Sequence, residues 1–86
     1  IDAVVVAAAT ESHYPLALRV IGEGLPLLIE KPVADDLLRT EEILARAEEA
    51  DIPLMCGLLE RFNPAVVTTR KLLGEVLHIS TVRHSP

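Results

Sequence analysis

Aromatic side chains are nearly absent, with one Tyr, one Phe and no Trp among 86 residues. Nucleic-acid binders stack bases on aromatic rings and neutralise phosphates with a basic surface. Here 8 basic side chains stand against 13 acidic ones, a formal net charge of -5. Both parts of that footprint are missing, and DNA and RNA are not expected partners. Cysteine is also scarce: the single Cys56 excludes a disulfide framework and a cysteine-based zinc site within the chain. A reducing, cytoplasmic setting is the expectation. No apolar run approaches the roughly 18 to 20 residues that span a bilayer. No basic segment followed by an apolar stretch and a cleavage site marks export. Membrane association is therefore not expected. Aliphatic side chains are what the chain has in quantity. Half of the residues are hydrophobic and 24% are charged, the balance of one small soluble α/β domain.

The chain opens on Ile1 and reaches an apolar β-branched run within three residues. A domain of this size buries only about 60% of its unfolded surface, and a three-stranded piece has two open edges. A fragment of a longer protein is the expectation.

Ala3 to Ala9 is continuously apolar rather than alternating, the pattern of a parallel strand buried on both faces. Ser12 precedes a stretch in which Leu16, Ala17, Val20 and Ile21 recur with helical spacing, and Gly24 follows at a helix stop position. A second short strand is Leu27-Leu28-Ile29, ended by Glu30-Lys31-Pro32, because proline cannot donate to a central ladder. Asp36 can cap a second helix to about Ala50. Leu37, Ile43, Leu44, Ala47 and Ala50 should face inward, Glu41, Glu42, Glu48 and Glu49 outward, and Glu42 should pair with Arg46. Pro53 opens a third apolar run, Leu54 to Leu59. Asn63-Pro64 is an N-cap and first-turn signature for a helix to about Leu73, stopped by Gly74. Val76 to His84 mixes Val, Ile and Thr with polar residues and reads as a half-exposed strand.

The order β-α-β-α-β, then a helix and a strand of different character, is half of a parallel doubly wound α/β sheet. No internal repeat or long linker interrupts it, and a domain boundary is expected near Gly74-Glu75. In such a sheet ligands bind beyond the carboxyl ends of the strands. Topology therefore nominates Ala8 to His13, Glu30 to Pro32 and Gly57 to Asn63. These segments hold Thr10, Ser12, His13, Glu30, Lys31, Glu60, Arg61 and Asn63 beside apolar runs.

Each of these residues also has a plainer reading. Glu30 and Lys31 can be ordinary solvated charges at a strand end. Lys31 in an apolar crevice could instead give up its proton more readily or polarise a substrate oxygen. His13 can be a neutral histidine bonding the first turn of its helix. Arg61 can pair with Glu60 or cover apolar surface with its stem, and Asn63 has a sufficient role as a cap. Met55 and Cys56 read as strand core. His78 and His84 stand too far apart, with no acidic partner between them, to form a metal pair, and no metal site is expected.

Taken together, the spaced set V-V-V-x-x-x-T-x-x-H, E-K-P and E-R-F-N-P resembles the glucose-fructose oxidoreductase, inositol dehydrogenase and rhizopine-catabolism family (Gfo/Idh/MocA) over essentially the whole chain. The resemblance implies a Rossmann domain binding NAD or NADP, followed by a C-terminal α/β domain that supplies the substrate face and assembles homo-oligomers. Residues 1–74 would be the second half of the first domain, and 75–86 the start of the second. The resemblance further implies that Ala8, Ala9, Thr10 and His13 line the nicotinamide nucleotide and that Glu30 approaches its ribose. Lys31 would lie beside the nicotinamide and the reacting hydroxyl as the catalytic residue, with Arg61 and Asn63 bordering the pocket. The implied reaction moves a hydride between nicotinamide and a carbinol of a polyol, sugar, cyclitol or sugar nucleotide.

Two departures stand out. Family members often carry Thr-Pro where this chain has Ala8-Ala9, and His where it has Leu58. The glycine-rich phosphate loop and the acidic ribose reader, which separate NAD from NADP, belong upstream in that family, and a second catalytic group belongs downstream. The rival reading is a catalytically inactive NAD(P)-binding sensor of the same fold. A third is a generic α/β domain with another nucleotide or phosphate ligand at the same switch point.

Overall fold

A computed structural model describes residues 1–84. Three short strands, β1 (Val4–Val6), β2 (Leu27–Ile29) and β3 (Leu54–Cys56), form a parallel sheet in the order β1-β2-β3. Parallel neighbours need crossovers, and these are α1 (Thr10–Gly22) and α2 (Leu37–Glu49). A 3-10 turn, Leu59–Phe62, then leads into α3 (Pro64–Leu72). This is the expected half of a doubly wound α/β sheet.

α1 packs on α2 and on β1 and β2, and both helices join the strands in one core on one face of the sheet. The core joins Val6, Leu27 and Ile29 of the strands to Ala17 and Ile21 of α1, Ile43 and Ala47 of α2, and Ala34 of the connecting loop. The expected burial of both faces is not met: Val5 is 66% and Met55 49% exposed. Strands alternate sides by residue, and with both crossovers on one side, every second apolar residue faces away from them. Val5, Leu28 and Met55, paired side by side across the sheet, form that open row. Met55 is therefore not core, and Cys56 is half-buried.

Helix ends follow local chemistry. α1 begins two residues before Ser12, at Thr10. Its N-cap is Ala9, which has no side-chain acceptor to offer. α1 closes as a Schellman motif, with Gly24 N–H donating to the Ile21 carbonyl, Leu25 N–H to the Val20 carbonyl, and Gly24 at φ +71°. α2 starts as expected, with Asp36 Oδ1 accepting from Arg39 N–H at 2.8 Å. It ends in the same motif: Asp51 N–H donates to Glu48, Ile52 N–H to Ala47, and Asp51 takes φ 53° where α1 has a glycine. The inward face of α2 is narrower than expected. Ile43 and Ala47 are buried, whereas Leu37 is 70% exposed and Leu44 and Ala50 also face solvent.

The two helices are also tied at their surface. Tyr14 Oη donates to Glu42 Oε2 at 2.7 Å, and Glu42 pairs with Arg46 at 3.6 Å as expected. The bond to Glu42 raises the Tyr14 hydroxyl above its ordinary pKa. Arg39, over the Tyr14 ring, bonds Asp35 at 2.6 Å and holds that carboxyl below its ordinary pKa.

α3 runs from Pro64 with Asn63 as its cap, Oδ1 accepting from Ala65 N–H at 3.0 Å. The strand expected over Val76 to His84 does not form. Its described residues are exposed and pair with none of the three strands, and a strand exists only where a ladder partner does. Among the described residues, no helix is long and apolar enough to cross a membrane.

Candidate functional site at the carboxyl end of the sheet

The register aligns the strands row by row: Val4, Leu27 and Leu54, then Val5, Leu28 and Met55, then Val6, Ile29 and Cys56. All three therefore stop at one level. The ladder extends one step further, with Glu30 N–H donating to Val6 O at 2.9 Å and Gly57 N–H to Ile29 O at 2.8 Å. The nominated segments Ala8 to His13, Glu30 to Pro32 and Gly57 to Asn63 thus emerge together from one end of the sheet.

Glu30 and Gly57 are coupled by shape. A Cβ at Gly57 would sit 3.0 Å from Glu30 Oε2 and 3.1 Å from its carboxyl carbon. Gly57 is buried, and its missing side chain leaves the space that the Glu30 carboxylate occupies. Oε2 of that carboxylate also accepts from Lys31 N–H at 3.2 Å. Lys31 itself is exposed, so the crevice expected around it is not closed by the described residues.

His13 is 1% exposed, and both of its ring nitrogens are engaged. Nδ1 lies 2.7 Å from the carbonyl oxygen of Pro32, and Nε2 lies 3.0 Å from that of Ala8. The first-turn bond expected of a histidine at this position does not form. Its partners are the chain just before the helix and a loop 19 residues away. The structure therefore gives His13 two loops, rather than open space, as its surroundings.

After β3, Glu60 does not pair with Arg61. Its Oε2 takes a hydrogen bond from Asn63 Nδ2 at 2.8 Å, which ties the 3-10 turn to the cap of α3. Arg61 is left facing an open cleft of about 320 Å³, lined by Glu30, Lys31, Gly57, Leu58, Leu59, Glu60, Arg61 and Arg83. The structure brings together Glu30, Lys31 and Arg61 of the nominated residues. Ala8, Ala9 and Thr10 stand outside this cleft at the neighbouring strand end, Ala8 and Ala9 exposed and Thr10 half-buried. Gly57 and Arg83 were not singled out by sequence. Gly57 enters the sequence reading only as the first residue of the nominated segment Gly57 to Asn63, and its closeness to Glu30 carries no sequence signal. Arg83 carries no such signal. Among the described residues, no group of three or more His, Cys, Asp and Glu side chains could hold a metal ion.

Comparison with known proteins follows this geometry. Residues 1–58 match the family model for GFO_IDH_MocA, the oxidoreductase family with an NAD-binding Rossmann fold. Over 84 residues the chain is 36% identical to the myo-inositol dehydrogenase Hyg17 of Streptomyces leeuwenhoekii, covering 95% of this chain and 26% of that protein. It is 30% identical over 92 residues to an inositol 2-dehydrogenase of Corynebacterium glutamicum, covering all of this chain and 27% of that protein. Among solved structures, the UDP-N-acetylglucosamine 3-dehydrogenase GnnA from Acidithiobacillus ferrooxidans aligns with a TM-score of 0.80 at 29% identity, over 84% of this chain and 23% of that one. The chain thus spans about a quarter of the length of the curated relatives it matches.

Proposed function

The chain belongs to the Gfo/Idh/MocA family of NAD-binding Rossmann-fold oxidoreductases, and from that premise we propose that it is part of a dehydrogenase acting on a carbinol of a polyol, cyclitol, sugar or sugar nucleotide. The family indicates a nicotinamide cofactor, and the proposal covers NAD and NADP alike. The observation that carries it is the convergence of Glu30, Lys31 and Arg61 on one cleft at the carboxyl end of a parallel sheet. Inositol dehydrogenases among the relatives and a sugar-nucleotide dehydrogenase among the structures support the substrate class.

The residues fit one half of a dinucleotide. The cleft lies at the small end of the roughly 300–1,000 Å³ typical of ligand sites, with Leu58 for a ring face and the Glu30 carboxylate beside Gly57 as a hydroxyl acceptor. The bound nicotinamide supplies the hydride acceptor or donor. In this proposal Glu30 accepts a hydrogen bond from a ribose hydroxyl, while Ala8, Ala9 and Thr10 offer the nucleotide a close-approaching loop. Arg61 borders the nucleotide from the third strand end. Lys31 is assigned the substrate hydroxyl. Its amine holds the oxygen and, in neutral form, takes the proton that must leave as the carbinol carbon gives up its hydride. Residues 1–74 would then belong to the nucleotide-binding domain. Residues 75–86 would lead into a substrate and oligomerisation domain.

The test uses the full-length protein with NAD or NADP and a panel of cyclitols, sugars and sugar nucleotides, following reduced nicotinamide by absorbance. Lys31→Ala is expected to lower kcat by about 10²- to 10⁴-fold while cofactor affinity persists. Tight cofactor binding by the parent without turnover on any substrate would replace this reading with the sensor. No cofactor binding at all would remove both.

A further inference from the structure

Lys31 has no carboxylate within ion-pair distance among the described residues, and its side chain is exposed. Its position is therefore set by the main chain on either side. Upstream, Glu30 N–H is held in the ladder by Val6 O. Downstream, Pro32 has no N–H, so its carbonyl is the only main-chain group that can tie it down. His13 Nδ1 meets that carbonyl at 2.7 Å. Nε2 of the same ring lies 3.0 Å from the Ala8 carbonyl oxygen. Both oxygens can only accept and a neutral imidazole carries a single N–H, so the inference places that hydrogen on Nδ1, donating to Pro32, with Nε2 set against the Ala8 carbonyl. The ring is fixed by burial in the face of α1 that also carries Ala17 and Ile21. One rigid element thus spans two of the three strand-end loops.

We infer that His13 is a positioning residue, which sets Lys31 relative to the β1–α1 loop by anchoring the Pro32 carbonyl. The inference rests on the proposed role of Lys31, and its physical core is separable from that role. Loss of the anchor frees the stretch from Lys31 to Val33, between the ladder at Glu30 and the buried Ala34. In a site where misplacement by about 1 Å can cost about 100-fold in rate, that release acts on kcat more than on cofactor affinity.

Two substitutions divide the ring's bonds. In His13→Asn the amide nitrogen stands where Nδ1 stood and can still donate to Pro32. In His13→Gln it reaches the Nε2 position and can serve only Ala8. Measured in the full-length protein, His13→Gln is expected to lose about 10- to 100-fold in kcat, and His13→Asn to recover most of that loss. Cofactor affinity should change little in either variant. Amide hydrogen exchange over residues 31–36 should rise in His13→Gln and stay near the parent's in His13→Asn. Equal exchange in the two variants, or a loss confined to cofactor affinity, would overturn the inference. Should His13→Gln fail to fold, a folded His13→Asn with raised loop exchange would overturn it as well. A parent without turnover, combined with the predicted exchange difference, would remove the dehydrogenase reading and leave the anchor standing.

Discussion

The two crossovers of the sheet share one frame and differ where they meet the site. Each joins a three-residue strand to a 13-residue helix and returns through a Schellman turn, a single aliphatic residue and a proline. In the first, the strand-end connection runs only from Ala7 to Ala9, the helix start has no side-chain cap, and a buried histidine stands in the apolar stripe. In the second, the connection extends from Glu30 to Asp36, an aspartate caps the helix, and the stripe is aliphatic. The difference teaches that one unit is self-sufficient while the other is spent on its neighbour. α2 satisfies its own N-terminus, and α1 uses its best buried polar group to hold the loop of the second unit.

The shared frame is tested first by its core, where the largest effect is expected. Ile43 is fully buried and Ile21 nearly so, and truncating either to Ala should cost about 2–5 kcal/mol in urea denaturation. A much smaller cost at Ile21 would show that the first crossover contributes less to the core than the second. The helix starts are the next contrast. Asp36→Ala should destabilise by about 0.5–2 kcal/mol. The converse Ala9→Asp should stabilise by up to about 1 kcal/mol, since Ala9 already has extended N-cap geometry. Cofactor titration of Ala9→Asp is expected to show weaker binding, because the new carboxylate stands in the loop assigned to the nucleotide. Unchanged affinity would take Ala9 out of that loop's role. The smallest effect belongs to the helix ends. Asp51 holds a left-handed conformation that Gly24 holds without steric cost, so Asp51→Gly should raise stability by about 0.5 kcal/mol in a thermal melt.

The architecture was readable because parallel strands and crossover helices announce themselves in short apolar runs broken by Pro, Gly and Asp. Asp36, Gly24 and Asn63-Pro64 marked helix ends within a residue or so. The open sheet face was not readable. Val4, Val5 and Val6 are equally apolar, and which of them is covered depends on the side taken by both crossovers. Leu37 and Leu44 misled for a related reason: each lies near the apolar stripe of α2 but outside the arc that the sheet and α1 reach. The Val76 to His84 segment has strand-forming side chains, yet pairing is a property of two segments. For the site, the topological rule located all three loops. What it did not contain was any link between them, since the bond from His13 to Pro32 joins residues far apart in sequence, and the space at Gly57 matters only once Glu30 lies across from it.

The two oxygens that the His13 ring meets belong to the main chain. Any amino acid at position 8 presents the same carbonyl, so a change of side chain there leaves the contact with Nε2 intact. The side chains of the first loop can therefore change without changing how the neighbouring loop is held. One buried histidine separates the side chains that are free to vary from the main chain that stays in place.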